Sequence, residues 1–451
     1  MERPGSAFAE HAARASSLAA QLAAGRGRPV RLAKSTSNLF RDRSDAGARK
    51  LDARALAGVL QIDAAHGTVD AEAMVSYEAL LDACLAQGVM PSVVPQLKTI
   101  TLGGAVAGVA VESSSFREGL VHDTVEEIEV LAGDGRVLVC TATNEHADLF
   151  RGFPNSYGTL GYALRVRART CPAKPFVHLR HERHCDAESY FAAVERHCSA
   201  RDADFVDGVM FSSDRLYLTL ATLADEAPRV SDYTFERIFY RSIAELEEDW
   251  LTVRDYLWRW DTDWFWCSKN LLAQQPLVRR LYGRKRLGSR TYQKLMRWNA
   301  RLGLTRAIDR LRGIHGESVI QDADIPIGKA AEFLAFLDRE VGIWPAWMCP
   351  IGARERPAPF VLYPMRPGLY VNFGFWDVKR TAKPAGAGHL NRMIEREVER
   401  LGGIKSLYSD SYYSPEEFDR LYGGEAYRAL KARYDPAAVF PTLYEKCVLR
   451  R

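Results

Sequence analysis

The chain has 451 residues, 61 Lys and Arg against 57 Asp and Glu, a formal net charge of +4, and 47% hydrophobic residues. These globular values exclude a disordered or collagen-like chain, and at roughly 100–200 residues per domain the length suggests more than one domain. Basic and acidic residues are interleaved rather than blocked, so no nucleic-acid partner is expected. No apolar run reaches the ~18 residues of a spanning helix. The eight cysteines contain no CxxC pair and read as free thiols in a reducing, cytoplasmic setting.

Residues 1–25 are Ala-rich but interrupted by Glu10, His11 and Arg14, which predicts an amphipathic helix rather than a secretory signal. A β-like stretch follows at 30–32. Residues 59–63 and 68–73 read as strands around His66-Gly67, and 77–87 as a helix stopped by Gly88. A Gly-rich segment spans 99–119. Residues 125–131 and 136–140 form a hairpin, and a Gly-bearing loop at 156–161 leads into a strand at 162–168. The run 171–175, with two prolines, marks a boundary. Beyond it, 205–223 reads as strands, 236–270 as a long Trp- and Tyr-rich helical region, and 279–312 as basic and helical. Residues 319–325, 345–349, 360–363 and 368–375 are strand-like, and the tail from 415 reads as two short helices closed by Asp435-Pro436. The order implies an α+β fold with a first domain at 1–175, a second at 176–414, and a C-terminal segment at 415–451 returning to the first.

Three loops have the chemistry of a dinucleotide site. Lys34, Ser35, Thr36, Ser37, Asn38 and Leu39 put a cation and hydroxyls after a strand. Thr99, Thr101, Gly103, Gly104 and Gly108 combine hydroxyls with glycines that let a backbone approach a diphosphate. Gly158, Thr159 and Gly161 repeat that chemistry. GxGxxG is absent, so this is not a Rossmann fingerprint. Taken singly, each loop is more simply a tight turn.

The succession of residues 34–40, 95–104, Glu112-Ser113-Ser114-Ser115-Phe116 to Gly119, 148–150 and 157–161 resembles the FAD-binding domain of the vanillyl-alcohol-oxidase (PCMH) type. Within it, the chain looks most like the delta24-sterol reductase branch, with weaker similarity through 319–326, 344–350, 407–412 and 434–441. It is also similar to bacterial flavoproteins that reduce methylene-branched fatty acyl chains. The resemblance implies an FAD domain with an inserted substrate domain. It implies FAD contacts from the 34–39 loop, from Thr99 to Gly108, from Glu112, Ser113, Ser114 and Ser115, from the Gly158–Gly161 loop, and from Lys446. FAD is expected to be non-covalent, because neither the first loop nor 112–119 holds a His or Cys. NADPH is the implied electron donor. The implied partners are a lipid substrate, at a membrane surface or the inner membrane face, and a methyltransferase acting in the same lipid pathway.

An isolated alkene has no carbonyl to polarise, so its reduction needs an acid, an apolar slot and groups that stabilise a cation. Candidate acids are Asp410 first, with Tyr408, Tyr412, Tyr413, Cys349 and Asp322. Gln321 and Asp322 lie on a stretch that the resemblance turns toward the flavin. Trp258, Trp260, Trp264, Trp266, Trp344 and Trp347 could supply aromatic faces, though most read better as core or a membrane-contact surface. His178, His181 and His184 alternate across a strand and make no metal set.

Overall fold

The computed structural model describes residues 4–25, 29–34, 40, 47–302, 314–354, 358–381 and 386–450. Two antiparallel sheets organise them. The first runs in the order Val59–Asp63, Thr68–Glu72, Tyr162–Pro172, Val125–Leu131, Val137–Thr141, with Val89–Pro91 also pairing Tyr162–Pro172. The second runs Glu248–Thr252, Phe176–His184, Arg215–Ala224, Phe205–Ser212, Ala346–Ala353, Gly368–Thr381, His315–Pro326, Ile404–Lys405. A short parallel pair, Val30–Ala33 with Arg49–Asp52, stands apart.

The second sheet separates two cores. On one face Val319, Ala323, Ile325, Val371, Phe373 and Phe375 pack under the helices Ala187–Ala200, Ala330–Phe336 and His389–Arg400. The first of these helices starts at Asp186, whose side chain accepts from Ser189 N, and buries Tyr190, Val194 and His197 along one stripe. Each large apolar side chain buried this way contributes about 1.5–3 kcal/mol. The opposite face carries Trp347, Cys349, Ile351, Tyr370 and Trp376 into a core shared with the first sheet. Strand alternation decides the assignment, since neighbours in sequence must point to opposite faces.

The helix at Pro4–Ala23 is anchored through His11, which lies 3.0 Å from Glu72 and 2.9 Å from Glu129. Burial alone would lower the imidazole pKa, but the two carboxylates outweigh it and raise it to about 9. The strands and hairpin read from the first third of the sequence are all present, as is the helix Tyr77–Leu85. The tail has Pro415–Leu421 and Gly424–Tyr434, plus a third short helix, Leu443–Cys447.

Three expectations fail. Residues 236–270 are not one long helix. They contain Phe239–Ser242, the edge strand Glu248–Thr252, Val253–Leu257 and a 3-10 turn at Cys267–Leu271. Their aromatic residues are buried on every side rather than along a stripe, and Trp264 and Phe265 both take positive φ, 46° and 59°, which no helix permits. Residues 360–363 form a turn, with Tyr363 N bonded to Phe360 O, and not a strand. The Gly-rich stretch is partly helical, at Leu102–Gly108.

Gly161 shows why one loop glycine is required. Its φ is +143°, and a Cβ there would stand 2.6 Å from Val130 Cγ1 and 2.8 Å from Leu131 O. Gly161→Ala is expected to lose about 2–4 kcal/mol of stability, read as a lower midpoint in chemical denaturation. Gly135→Ala, where nothing lies within 4 Å of the added carbon, is expected to lose less.

Candidate functional site

The faces of the two sheets meet across a seam that gathers ionisable groups into two linked clusters. The first is built on Arg259, which is fully buried. Its Nη2 donates to Asp207 Oδ2 at 2.8 Å, and Nη1 and Nη2 both reach Glu112 Oε1 at 3.3 Å. Ser113 Oγ donates to the same Glu112 oxygen at 2.6 Å, and Trp347 Nε1 to Asp207 Oδ2 at 3.1 Å. The guanidinium lies 4.0 Å from the Tyr256 ring centroid. Burial pushes the Glu112 carboxyl up to about 7, against the pull of Arg259. Arg259 itself is held protonated by its neighbours, which would argue for an ionised Glu112. Charge balance decides between them: one cation faces two acids, and the shorter pair belongs to Asp207. A proton on Glu112 makes the buried group neutral.

The second cluster sits on the strand His315–Pro326. Asp322 and Asp324 point to the seam, and Gln321 to the other face, where its Nε2 donates to Asn391. Asp324 accepts from Tyr363 OH and from Asn372 Nδ2, each at 2.6 Å. Burial lifts its carboxyl to about 6, with those two bonds opposing. Asp322 lacks such support. The residue is only half-buried, but its Oδ1 is sealed and has no protein partner. Burial and the neighbouring Asp324 charge raise its carboxyl to about 8, and a hydrogen bond from Tyr408 only moderates this. Tyr408 OH in turn accepts from Trp376 Nε1 at 2.7 Å.

Aromatic rings join the clusters. Phe265 stands 5.4 Å from Trp347 and 4.4 Å from Trp376, and Phe40 packs 5.4 Å from Trp264 and 5.6 Å from Tyr408. Trp376 folds over Gly374, where a Cβ would stand 2.5 Å from the indole and 2.9 Å from Asp322 Oδ1. Asn155, Tyr157, Trp264 and Phe265 all adopt positive φ. Strain of this kind collects at functional sites.

The other sequence-derived candidates fall around the seam unevenly. Cys349 is fully buried between the clusters, its thiol pushed well up by burial and by the nearby acids Glu112 and Asp207. Asp410 Oδ1 is ion-paired with Arg450 at 3.3 Å, and Tyr412 OH accepts from the same Arg450 at 3.2 Å. Residues 35–39 lie outside the described residues, while Lys34 directly follows the strand Val30–Ala33. Thr99 Oγ1 accepts from Gln293, and Thr101 caps the helix Leu102–Gly108 by accepting from Gly104 N. Leu102 N and Gly103 N are bonded to Val75 O and Ala73 O, so the start of this helix spends its donors within the protein. Gly108 O accepts from Tyr157 OH at 3.0 Å. Ser114 Oγ donates to Ser92 O, and Ser115 Oγ accepts from Glu112 N. Gly158 turns at φ +77° beneath Tyr162, and Thr159 Oγ1 closes the loop onto Ser156 O. Lys446 donates to Tyr157 O. His178 stacks on Trp250, His181 bonds Thr219, and His184 meets Tyr190, which separates the three imidazoles.

Sequence reasoning missed Arg259, Asp207, Asp324, Tyr363, Asn372 and Trp376. The available signal was a charge inside an apolar run: Arg259 between two tryptophans, and Asp207 within a strand of buried residues.

Residues 10–141 match the family model described as an FAD binding domain. The chain is 26% identical to the human delta(24)-sterol reductase over 412 residues, 87% of this chain and 76% of the relative. It is 25% identical to that of Arabidopsis thaliana over 427 residues, 86% and 74%. A decaprenylphosphoryl-beta-D-ribose oxidase of Mycolicibacterium smegmatis is 28% identical over 128 residues, 28% of each chain. The chain carries a PCMH-type FAD-binding domain and is an FAD-dependent oxidoreductase. Over most of its length its relatives are sterol reductases. The seam fits the cofactor. Gln96 Nε2, Glu112 Oε2, Ser156 Oγ, Asp322 Oδ1 and Ser406 Oγ are buried without a protein partner. Native proteins rarely leave such groups unpaired, and this mixture of donors and acceptors suits the amides, hydroxyls and phosphates of FAD. Among the described residues no helix is long and apolar enough to cross a membrane.

Two outcomes are expected. Arg259→Met, which strands two buried acids, is expected to cost about 3–5 kcal/mol, measured by denaturation. The raised carboxyls set the second. Each binds its proton more tightly folded than unfolded, so its share of stability is present below the unfolded pKa and is lost as pH rises through the folded value. With values of about 6, 7 and 8 for Asp324, Glu112 and Asp322, and His11 at about 9 acting in the same direction, the thermal midpoint should fall progressively as pH rises from about 4 to about 9. Asp322→Asn should make that fall shallower.

Proposed function

We propose that this protein reduces an isolated carbon–carbon double bond in a lipid, with FAD as cofactor and NADPH as electron donor. Asp322 carries this reading: a carboxyl protonated at neutral pH, with one oxygen unpartnered, among Trp, Tyr and Phe rings. A neutral carboxylic acid in an apolar setting is a proton donor. Delivered to the less substituted alkene carbon, that proton leaves a tertiary cation on the substrate. The faces of Phe40, Trp264, Trp376 and Tyr408 are the groups to stabilise it, at about 0.5–2 kcal/mol each. Their apolar surface also keeps water from capturing the cation. The Tyr408 hydroxyl, ordered by Trp376 Nε1, supports the Asp322 carboxylate that remains after proton transfer. Reduced FAD, when bound, supplies the hydride.

In this reading residues 1–175 hold the cofactor and 176–414 the substrate, and the tail returns. In support, the first sheet ends at Pro172 and the second begins at Phe176. Gly133 N bonds Tyr434 O, and Lys431 Nζ bonds Thr159 O. We take a methylene-branched acyl chain of a phospholipid as the substrate, on the resemblance drawn from the sequence. A sterol side chain is the second reading, favoured by the similarity to sterol reductases. Either alkene yields a tertiary cation.

The test is the visible spectrum of the purified holoprotein under anaerobic conditions. NADPH should bleach the flavin, and a methylene-branched phospholipid should restore the colour. Restoration by a Δ24-sterol alone would move the substrate to the second reading. Failure of NADPH to bleach, with bleaching by an alcohol or sugar, would overturn the reductase reading.

A further inference from the structure

The segment from Leu272 to Leu302 departs from the rest of the surface in two ways. It contains nine Lys and Arg and no Asp or Glu. It also holds six of the ten large hydrophobic side chains exposed among the described residues. On the helix Pro276–Tyr282, Leu277 and Leu281 are 77% and 81% exposed, one turn apart. On the helix Ser289–Leu302, Trp298 is 57% and Leu302 53% exposed, again one turn apart. Arg290, Lys294 and Arg297 are exposed on the same helix.

These side chains are not loosely placed. Arg279 of the first helix is buried and paired with Asp263 at 2.6 Å. The second helix is fixed at its base by Ser289 Oγ donating to Asp261 at 2.6 Å and by Tyr292 OH donating to Thr262 O at 2.9 Å. A firmly seated pair of helices therefore holds leucines and a tryptophan outward within a basic field. Exposed apolar residues in such number mark a contact surface. Lysines and arginines around leucine and tryptophan are the composition of a helix that lies in a lipid interface.

We propose that residues 272–302 form the surface by which this protein docks on an anionic lipid bilayer. The headgroups meet the exposed arginines and lysines, and Leu277, Leu281, Trp298 and Leu302 enter the acyl boundary. Charge complementarity selects this occupant: seven of these cations are exposed among the described residues. Arg280, Arg284 and Arg290 pair with Glu236, Asp232 and Glu78 of neighbouring elements, which leaves Lys285, Arg286, Lys294 and Arg297 as an excess of positive charge that fits a layer of phosphates, and the apolar tips need a layer they can enter. The surface stands over the candidate site. Tyr292, at its base, stacks 6.4 Å from Trp264, and Trp264 packs on Phe40 beside Tyr408. Delivery of a lipid substrate along this line rests on the proposed reductase activity; the docking itself does not.

The test is flotation of the holoprotein with vesicles of phosphatidylglycerol and phosphatidylcholine in equal parts, against vesicles of phosphatidylcholine alone. The protein should float with the anionic vesicles and lose that binding in high salt. The double variant Leu277→Glu/Leu281→Glu and the single variant Trp298→Ser should bind roughly tenfold more weakly or worse, with an unchanged flavin spectrum and unchanged turnover of detergent-dispersed substrate. Absence of wild-type binding to the anionic vesicles, or variants that float as well as wild type, would overturn the proposal. Binding that is intact while no lipid reoxidises the flavin would leave the docking surface standing and sink the reductase reading.

Discussion

The seam between the sheets depends on burying more acid than base. Among the described residues, Glu112, Asp207, Asp322 and Asp324 are gathered there against one guanidinium, Arg259. Four ionised carboxylates could not share such a space with a single cation, because each would carry an unrelieved desolvation cost. The molecule answers in two ways. Asp207 takes the short ion pair. The other three retain protons into or near the neutral range, and Asp324 is further held by Tyr363 and Asn372. Asp322 receives the least support, and its carboxyl, raised to about 8, stays protonated at neutral pH, which is why it is the donor in the proposed reaction.

The aromatic packing has the same purpose. Rings from 256 to 266, with Trp347 and Trp376, surround the acids and exclude the water that would otherwise ionise them. This needs a chain path that no regular element supplies. Trp264 and Phe265 sit in the left-handed region, and Tyr157 does so on the facing loop. The strain is supported by the fixed surroundings: Arg279 on Asp263, Ser289 on Asp261 and Gln274 on Trp266 O. The same anchors seat the two basic helices at the surface, so the packing that isolates the acids also sets the outer face.

Much of the fold was legible in the sequence. Short β-like runs bounded by turn residues marked the strands of the first sheet, and the hairpin at Gly133–Gly135 followed from its turn residues. The 34–40, 99–119 and 156–161 segments, read with the family resemblance, pointed to FAD, which the family model and the oxidoreductase relatives support. Residues 236–270 were misread because helix and buried coil share the same apolar content, and only a stripe distinguishes them. The ranking of acids was also beyond reach. Asp410 and Asp322 look alike in sequence, and what separates them is Arg450 beside one and Tyr408 with a sealed oxygen beside the other. Arg259 and Asp207 are 52 residues apart and meet only through the fold.

The central claim is that Asp322 holds the proton the reaction consumes. The direct measurement is the rate at which anaerobically reduced holoenzyme is reoxidised by the lipid alkene, followed against pH. The rate should fall with an apparent pKa of about 8, and Asp322→Asn should slow it by roughly a hundredfold or more while leaving reduction by NADPH intact. A variant that is reoxidised at the wild-type rate, with the same pH profile, would contradict the account.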